Sequence, residues 1–236
     1  MNKVLKIYNI LYDTYGPQGW WPFVNYKGKN NFKEGNSDGY HILDYTFPRD
    51  NGEVFEVCLG SILTQNTTFT SVVKSLNNLN DMGCLDYKKI KEMPIEELKI
   101  LIKPSGYHNQ KSNYIVVFID FFESLDSRIP TRDELLEIKG IGPETADSIL
   151  LFAYNQPHFK VDAYTKRILL HNKLIPENAK YNDIKNFMEK EINKEIKDDR
   201  ELVTIYQEYH ALIVNHAKQY YSKKPYGVGC FLENKF

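Results

Sequence analysis

The sequence predicts an all-α protein. From Val54 onward, apolar residues recur at the three- and four-residue spacing of helices, as in VFEVCLGSILTQN. Helix start signals also recur: Thr131 to Glu134 form a capping-box pattern, and Pro143 has the position that proline prefers in a first helical turn. Strand patterns do not alternate with helical ones, as they would in an α/β protein.

The N-terminal quarter of the chain predicts one helix and one long loop. Residues 2–15 have the apolar spacing of a helix, which Gly16-Pro17 ends. A compact aromatic turn, Trp20-Trp21-Pro22, follows it. Residues 25–53 are rich in Asn, Gly, Asp and Lys and predict an inserted surface loop, in which residues 40–47 could form a short strand or hairpin arm.

The rest of the chain predicts a continuous series of helices. They cover residues 54–66, 67–79, a segment beginning at Pro94, 109–125, a segment after the Thr131 capping box, 143–154, 162–170, 181–196 and 200–221.

Composition excludes several classes of protein. With 236 residues, 42% of them hydrophobic and 26% charged, the chain suits one large domain or two small lobes and excludes extensive disorder. It has no run of eighteen apolar residues, which excludes a membrane-spanning helix. The amphipathic N-terminus ends in no small-residue cleavage site, so we expect a cytoplasmic protein without a signal peptide.

Cysteine content and net charge limit the chemistry further. Three widely spaced cysteines exclude a disulfide framework and a cysteine-only metal site. A net charge of −1 gives no overall reason for nucleic-acid binding, so a DNA site would require a local basic face. Candidates for that face are Lys139, Lys160, Lys166, Arg167, Lys218, Lys223 and Lys224.

A glycine turn between two helices is the first candidate functional segment. Lys139-Gly140-Ile141-Gly142 lies between the helix after Thr131 and the helix that begins at Pro143. Glycines two apart allow a sharp turn and leave amide N–H groups of Gly140 and Gly142 facing outward, as in a sequence-independent phosphate site. The same spacing also fits an ordinary connector between helices.

Asp162 is the second candidate, because it stands where the next helix begins. One interpretation is an N-cap, a frequent role of aspartate. The other is an ionised carboxylate, held by the helix N-terminus and directed at developing positive charge. The two roles are compatible.

Four segments in this order resemble the helix-hairpin-helix DNA glycosylases of the endonuclease III superfamily. They are LGSILTQNT, PSGYHNQKSNYI, LEIKGIGPETADSILLFAY and VDAYTKRIL, and the similarity covers about residues 54–170 and weakly extends to 221. The resemblance implies base excision repair, in which a damaged nucleotide is flipped out of double-stranded DNA and its N-glycosidic bond is cut. The resemblance also matches Asp162 to the essential catalytic aspartate. It matches Gln65, which precedes Asn66 in the TQN turn, to the residue that enters the gap left in the DNA by the flipped base.

The resemblance also implies a two-lobed fold with a central cleft. A six-helix barrel lobe with the helix-hairpin-helix would span residues 54–154. Residues 1–53 together with 155–236 would form the second helical lobe, and residues 25–53 would be an inserted loop. The hairpin and Asp162 would meet at the cleft, and we expect a monomer that associates with the nucleoid through DNA.

Two departures from the superfamily pattern refine the expected activity. The bifunctional members carry a lysine at the position of Glu144, and a carboxylate cannot form the imine needed for lyase activity. This favours a monofunctional glycosylase; the alternative is a bifunctional glycosylase and lyase acting on oxidised bases, with another lysine as the amine. Where some members hold four cluster cysteines, this chain has Cys230 but also Tyr220 and Gly227, so we predict no iron–sulfur cluster and no metal.

Within the superfamily, the resemblance is strongest to the 3-methyladenine DNA glycosylase III group. That group shares Glu at the lysine position and a Trp-Trp-Pro segment, and Phe69 matches an aromatic residue of its base pocket. The resemblance therefore implies that Trp20, Trp21 and Phe69 line the base pocket. Aromatic faces bind a cationic methylated purine well, although a Trp pair also fits simple packing. Lys218 matches a basic position of the base pocket in that group. Leu212 stands where the group has a modified lysine, so the sequence does not determine which damaged base is excised.

The six histidines show no metal-ligand spacing. We interpret them as structural, and we also consider His108 and His216 as DNA-facing residues.

Overall fold

The computed structural model describes residues 2–29, 38–232 and 235, and this part of the chain contains helices but no strand. The all-α prediction is therefore confirmed. The α helices are α1 (Lys3–Tyr15), α2 (Asn51–Leu63), α3 (Phe69–Asp81), α4 (Tyr87–Glu92), α5 (Ile95–Leu101), α6 (His108–Ser124), α7 (Arg132–Glu137), α8 (Pro143–Ala153), α9 (Ala163–His171), α10 (Tyr181–Asn193) and α11 (Asp199–Tyr220). A 3-10 turn, Lys103–Ser105, precedes α6.

The helix ends follow local chemistry. Thr131 and Glu134 form the predicted capping box at α7, each side chain bonding the other residue's backbone N–H. Asp50 caps α2 through the N–H of Glu53, so this helix begins inside the range predicted as loop. Residues 51–153 form seven α helices, where the barrel lobe was expected to contain six. The short helix α4 was missed.

The predicted insertion is only partly a surface loop. Residues 30–37 lie outside the described residues. The predicted strand or hairpin arm at residues 40–47 is wrong, because the segment forms turns. Three of its side chains face the interior: Tyr40, His41 and Phe47 are buried, and Phe47 stacks on His41 with ring centroids 4.4 Å apart. Because the segment is rich in polar residues, its sequence did not indicate that these three aromatic side chains are buried.

Two helices organise the interior. All α8 residues from Thr145 to Ala153 are buried, and α8 packs against α2. The 22-residue α11 packs against α1, α8 and α9. In α2, Gly60 lets the Trp21 ring approach closely, since a Cβ at that position would lie 2.6 Å from Trp21 Cζ2. None of the described helices is both long and apolar enough to cross a bilayer.

Candidate active site in the cleft

The turn between α7 and α8 provides outward-facing backbone donors. The N–H groups of Gly140 and Gly142 have no bonding partner within the described chain, whereas that of Ile141 donates to Ile138 O at 3.0 Å. Gly140 has φ of +95°, and a Cβ there would lie 2.3 Å from the Tyr114 ring. Gly142 has φ of −94° and open space around it. Only Gly140 is therefore required to be glycine by backbone geometry.

The TQN turn lies directly against this hairpin. Gln65 Nε2 donates to Gly140 O at 2.8 Å and to Thr145 Oγ1 at 3.1 Å. Asn66 is exposed and has a left-handed φ of +52°. Buried Lys111 supports the turn, because its Nζ donates to Leu63 O at 2.7 Å and to Ser105 O at 2.8 Å. The two predicted DNA-contacting segments thus form one continuous surface.

A cavity of about 400 Å³ opens beside this surface. It brings together several of the predicted residues: Trp21, Gln65, Asn66, Gly140 and Gly142. Ile141 is buried, and Lys139 is exposed but does not line the cavity. Lys218 does not line it either, so the structure does not bring this residue to the predicted pocket. Additional lining residues are Ser61, Thr64, Pro143, Glu144, Thr145, Ser148, Lys160 and Tyr181.

An aromatic cluster forms one wall of the cavity. Trp20 and Trp21 are both buried, with ring centroids 5.8 Å apart. Phe69 lies 4.5 Å from Trp20 and 5.2 Å from Trp21, again between centroids. Trp21 lines the cavity, whereas Trp20 and Phe69 support it from behind. The Trp21 Nε1–H has no hydrogen-bond partner among the described residues.

Two buried carboxylates hold the aromatic turn in place. Glu208 on α11 accepts the backbone N–H groups of Gln18 at 2.7 Å and Gly19 at 3.1 Å. Glu56 on α2 accepts that of Val24 at 2.8 Å. Burial raises the pKa of both carboxyl groups, in Glu56 to about 7. The wall of the cavity is therefore fixed by hydrogen bonds at both ends.

Asp162 caps α9. Its Oδ1 accepts the N–H of Thr165 at 2.7 Å and the Thr165 hydroxyl at 3.0 Å. Burial alone would raise the pKa of this carboxyl, but electrostatic coupling to the neighbouring His210, the ammonium of Lys160 and the bonds from Thr165 outweigh it and lower the pKa. Asp162 is therefore ionised at neutral pH while it caps the helix.

Lys160 and His210 accompany Asp162, although neither had been predicted as part of the site. Lys160 Nζ lies 3.4 Å from His210 Nε2 and 3.6 Å from Glu144 Oε1. Burial and the neighbouring ammonium of Lys160 lower the pKa of His210 to about 3, so this imidazole is neutral at pH 7. Desolvation by the surrounding protein raises the pKa of Glu144 even though about half of its side chain is exposed, and Lys160 opposes that effect.

A buried ionic cluster ties the hairpin to the segment that carries Asp162. Asp147 of α8 is fully buried and bonds Arg132 Nε of α7 at 2.8 Å. The Tyr181 hydroxyl donates to Asp147 Oδ2 at 2.8 Å and accepts the N–H of Val161 at 3.4 Å. Sequence patterns did not indicate this cluster, because its members come from separate helices.

Several predicted basic or DNA-facing residues have structural partners instead. Lys160 is buried rather than on an outer face. Lys166 Nζ donates to Ala179 O at 2.7 Å, and Arg167 donates to Tyr221 O at 3.0 Å. The DNA-facing interpretation of His216 is wrong, because this residue is fully buried and its Nδ1 lies 3.0 Å from the Tyr15 hydroxyl. Lys139, Lys223 and Lys224 are exposed.

The residues do not fit a four-cysteine iron–sulfur cluster. Cys230 is buried, with its Sγ 3.1 Å from His216 Nε2 and 3.5 Å from the Tyr221 hydroxyl. Cys58 lies within α2, and Cys84 follows α3. Within the described ranges, no group of three or more His, Cys, Asp and Glu side chains is arranged to hold a metal ion.

Comparisons with known proteins agree with this geometry. Residues 59–194 match the family described as HhH-GPD superfamily base excision DNA repair protein. A Methanocaldococcus jannaschii protein, whose name places it among DNA repair glycosylases, is 37% identical over 94% of this chain and 90% of its own length. Endonuclease III of Sulfolobus acidocaldarius is 28% identical over 77% of this chain and 80% of its own.

A solved structure shows the same fold. The H. pylori 3-methyladenine DNA glycosylase bound to 1,N6-ethenoadenine superimposes with a TM-score of 0.70 and 27% identity, covering 92% of this chain and 98% of that one. The chain belongs to the HhH-GPD superfamily and is a base excision repair DNA glycosylase.

Proposed function

We propose that the protein is a monofunctional DNA N-glycosylase that hydrolyses the N-glycosidic bond of an alkylated, 3-methyladenine-type purine in double-stranded DNA. The observation that carries this proposal is a pair of acidic residues: Glu144, which lines the cavity, and Asp162, which follows the cavity-lining Lys160 by two residues. Asp162 is ionised at the start of α9, and Glu144 occupies the hairpin position at which a lyase would carry an amine.

The proposed reaction begins when the hairpin amides of Gly140 and Gly142 bind a DNA phosphate and the damaged base enters the cavity. As the base leaves, positive charge develops on the sugar. The Asp162 carboxylate stabilises this charge and acts as general base toward a water molecule. Atoms and charge balance: the cationic base leaves as a neutral base with the electron pair of the N-glycosidic bond, water supplies the hydroxyl group at C1′, and the proton lost by water passes to Asp162 and then to solvent.

The charge of the cleft supports a cationic base. The Asp162 carboxylate is ionised and His210 is neutral, while the second carboxyl group, that of Glu144, lies 3.6 Å from Lys160 Nζ. The Trp21 ring offers an aromatic face at the cavity wall, and a desolvated cation gains on the order of 2 kcal/mol from such a face. An alkylated purine needs little protonation to leave.

The H. pylori relative supports the same substrate class. Its name assigns it 3-methyladenine, and it was solved with 1,N6-ethenoadenine, another adenine that carries added carbon atoms. For this chain we propose only the substrate class, a purine modified by alkylation, and not the particular base.

The test is a panel of duplexes, each with a single lesion: 3-methyladenine, 1,N6-ethenoadenine, 7-methylguanine, 8-oxoguanine, thymine glycol or uracil. We expect release of an alkylated purine with the DNA strand intact until alkali is added. Preferential release of 8-oxoguanine or thymine glycol would contradict the proposed substrate class.

A second candidate function is a bifunctional glycosylase and lyase acting on oxidised bases. The observation in its favour is the Lys160 amine, which lines the cavity near Glu144. Reduction with borohydride during the reaction traps any enzyme imine as a covalent adduct. We expect no adduct; an adduct that disappears in Lys160→Met would establish this alternative.

A further inference from the structure

We propose that Lys160 and Glu144 form a donor–acceptor pair that binds one edge of the flipped base, so that the cavity selects alkylated purines that keep a ring acceptor beside an N–H donor. The inference rests on the proposed function, because it concerns the base that enters this cavity. It deepens that proposal by naming two specificity-determining residues and the chemical feature that they recognise. The superfamily resemblance assigns no such role to either residue.

Most hydroxyl and amide side chains of the cavity wall are already hydrogen bonded to other parts of the protein. The bonds are those of Ser61 with Ser148, Thr64 with Gly60 O, Gln65 with Gly140 O and Thr145, and Tyr181 with Asp147. A further polar residue, Asn66, is exposed on the TQN turn. The bonded groups hold the wall together, which leaves the charged residues as the main candidates for binding a base.

Lys160 and Glu144 have unused bonding capacity. Lys160 Nζ lies 3.6 Å from Glu144 Oε1 and 3.4 Å from His210 Nε2, and both contacts are longer than an ordinary hydrogen bond. Within the described part of the chain, neither charged group has another hydrogen-bond or ion-pair partner. An ammonium group can donate several hydrogen bonds, and a carboxyl group can accept through an oxygen in either protonation state.

The fold places this pair at the cavity. Both residues line it, and its volume of about 400 Å³ is within the range of pockets that bind small molecules. The Lys160 side chain is only 10% exposed and lies between α8 and α11, so it has few alternative positions. The Glu144 side chain is 53% exposed and can adjust to a ligand from the open side.

The pair complements the Watson–Crick edge of 3-methyladenine. On that edge N1 is an acceptor and the neighbouring N6 amino group is a donor, so Lys160 can donate to N1 while Glu144 accepts from N6. Enzymes that flip a base out of DNA recognise it through this edge. In 1,N6-ethenoadenine the added carbon atoms join N1 to N6, so the edge offers Glu144 no N–H donor.

The bond from Lys160 should strengthen as the base leaves. The departing base takes the electron pair of the N-glycosidic bond, so its positive charge disappears and its ring nitrogens become better acceptors. An interaction that is stronger in the transition state than in the bound substrate accelerates the reaction. Loss of Lys160 should therefore slow base release.

The experiment compares Lys160→Met and Glu144→Met with the wild type on two duplexes, one with 3-methyladenine and one with 1,N6-ethenoadenine. Single-turnover release is measured on each duplex, so each base is its own reference. We expect both variants to lose at least about tenfold on 3-methyladenine, the scale of a hydrogen bond to a charged group. On 1,N6-ethenoadenine, Glu144→Met should stay within about threefold of the wild type, because no bond to Glu144 is lost.

Binding of the free bases provides a readout that does not require catalysis. Trp20 and Trp21 are the two tryptophans of the chain, and their aromatic cluster forms a wall of the cavity. An NMR titration that follows the two indole N–H signals therefore reports entry of a base. Glu144→Met should bind free 3-methyladenine at least about tenfold more weakly than the wild type does and should bind free 1,N6-ethenoadenine equally well.

Matched control variants separate this role from general effects of charge. Lys190→Met and Glu92→Met each remove one exposed charge that does not line the cavity, and both should behave as the wild type. Thermal unfolding of every variant identifies loss of fold.

The outcomes are distinct. Equal losses on both bases in Glu144→Met would overturn the inference, since Glu144 would then not act on the amino group. Unchanged release and binding of 3-methyladenine in either variant would also overturn it. If the wild type releases no base from any duplex, the proposed function fails, and the free-base titration still decides whether the pair recognises this edge. If the wild type neither releases nor binds 3-methyladenine, both proposals fail.

Discussion

At the scale of the residue, Asp162 combines a structural role with the chemical role proposed for it. One of its oxygens accepts both donors of Thr165, which fixes the carboxylate at the start of α9. The partial positive charge of the helix N-terminus also favours the ionised form. The bonds that cap the helix thus also help to keep the carboxylate charged, together with the larger effects of His210 and Lys160.

Asp162→Asn separates these two roles. The asparagine oxygen can still accept from Thr165, so we expect the variant to fold with near wild-type stability and to bind lesion DNA. Base release should decrease by roughly two orders of magnitude or more, because the charge is lost. Single-turnover assays and thermal unfolding provide the measurement. Base release at the wild-type rate would reduce Asp162 to a helix cap.

Glu56 should make stability depend on pH. Burial raises the pKa of its carboxyl from 4.5 to about 7, so the folded state binds the proton more tightly than the unfolded state. Its contribution is therefore most favourable below about pH 4.5, and it is progressively lost as the pH rises to about 7.

Glu56→Gln should remove this dependence while retaining an acceptor for the Val24 N–H. Relative to wild type, we expect its free energy of unfolding to improve between pH 4.5 and pH 8 by on the order of 2 kcal/mol. Denaturant titrations at several pH values measure it. Exposed Glu92→Gln is the control, and parallel curves for Glu56→Gln and wild type would contradict the prediction.

Residue roles that depend on local sequence could be predicted, and those that depend on tertiary contacts could not. The capping position of Asp162 follows from its place before a helical pattern. Lys160 lies between Glu144 of α8 and His210 of α11, which are 16 residues before it and 50 residues after it in the chain, so only the tertiary fold brings these three side chains together. Asp147 lies among the buried residues of α8, but its partners Arg132 and Tyr181 come from other helices, so the sequence alone does not indicate the cluster.

At the scale of the element, the hairpin turn has two glycines with unequal roles. Gly140→Ala should force a Cβ into the Tyr114 ring at a left-handed backbone position, whereas Gly142→Ala meets open space. We expect the first change to cost on the order of 2 kcal/mol of stability and to weaken DNA binding, and the second to leave stability near wild type. Denaturant unfolding of the two variants provides a matched comparison, and equal losses would contradict it.

The helices themselves were predictable because most of them have strong apolar spacing and clear start signals. The segment before α2 was not. Its polar residues indicate a loop, but Tyr40 and Phe47 are buried among other aromatic side chains. Single anchors in a polar loop have no periodicity, so no sequence pattern distinguishes them from exposed aromatics.

At the scale of the whole molecule, a net charge of −1 must coexist with DNA binding. Of the seven cations predicted for a basic face, Lys139, Lys223 and Lys224 are exposed, while Lys160 is buried. We therefore expect few phosphate contacts through lysine and a correspondingly larger share through the hairpin amides. These amides are neutral, so their contacts with phosphates displace fewer counterions from the DNA than lysine contacts do.

Non-specific duplex binding should still weaken with salt, with a slope of about −0.9 per phosphate neutralised. For three exposed lysines the slope of log K against log salt would be close to −3. Fluorescence anisotropy between low and physiological salt measures this quantity. A slope near zero would contradict DNA binding through a basic face, and Lys139→Met should make the slope shallower by about one unit.

Helix α11 has a consequence that extends over the molecule. Four successive side chains reach four different parts: Gln207 bonds Leu151 O of α8, Glu208 holds the aromatic turn, Tyr209 bonds Val4 O of α1, and His210 meets Lys160. Successive residues of an α-helix point about 100° apart, so the rotation of α11 about its own axis determines the directions of all four side chains together. Inserting or deleting a single residue upstream in α11 would rotate all four side chains away from their partners, whereas a substitution at one position changes only that position's contact. The number of residues in α11 before Gln207 is therefore more strongly constrained than the identity of any one side chain along this helix.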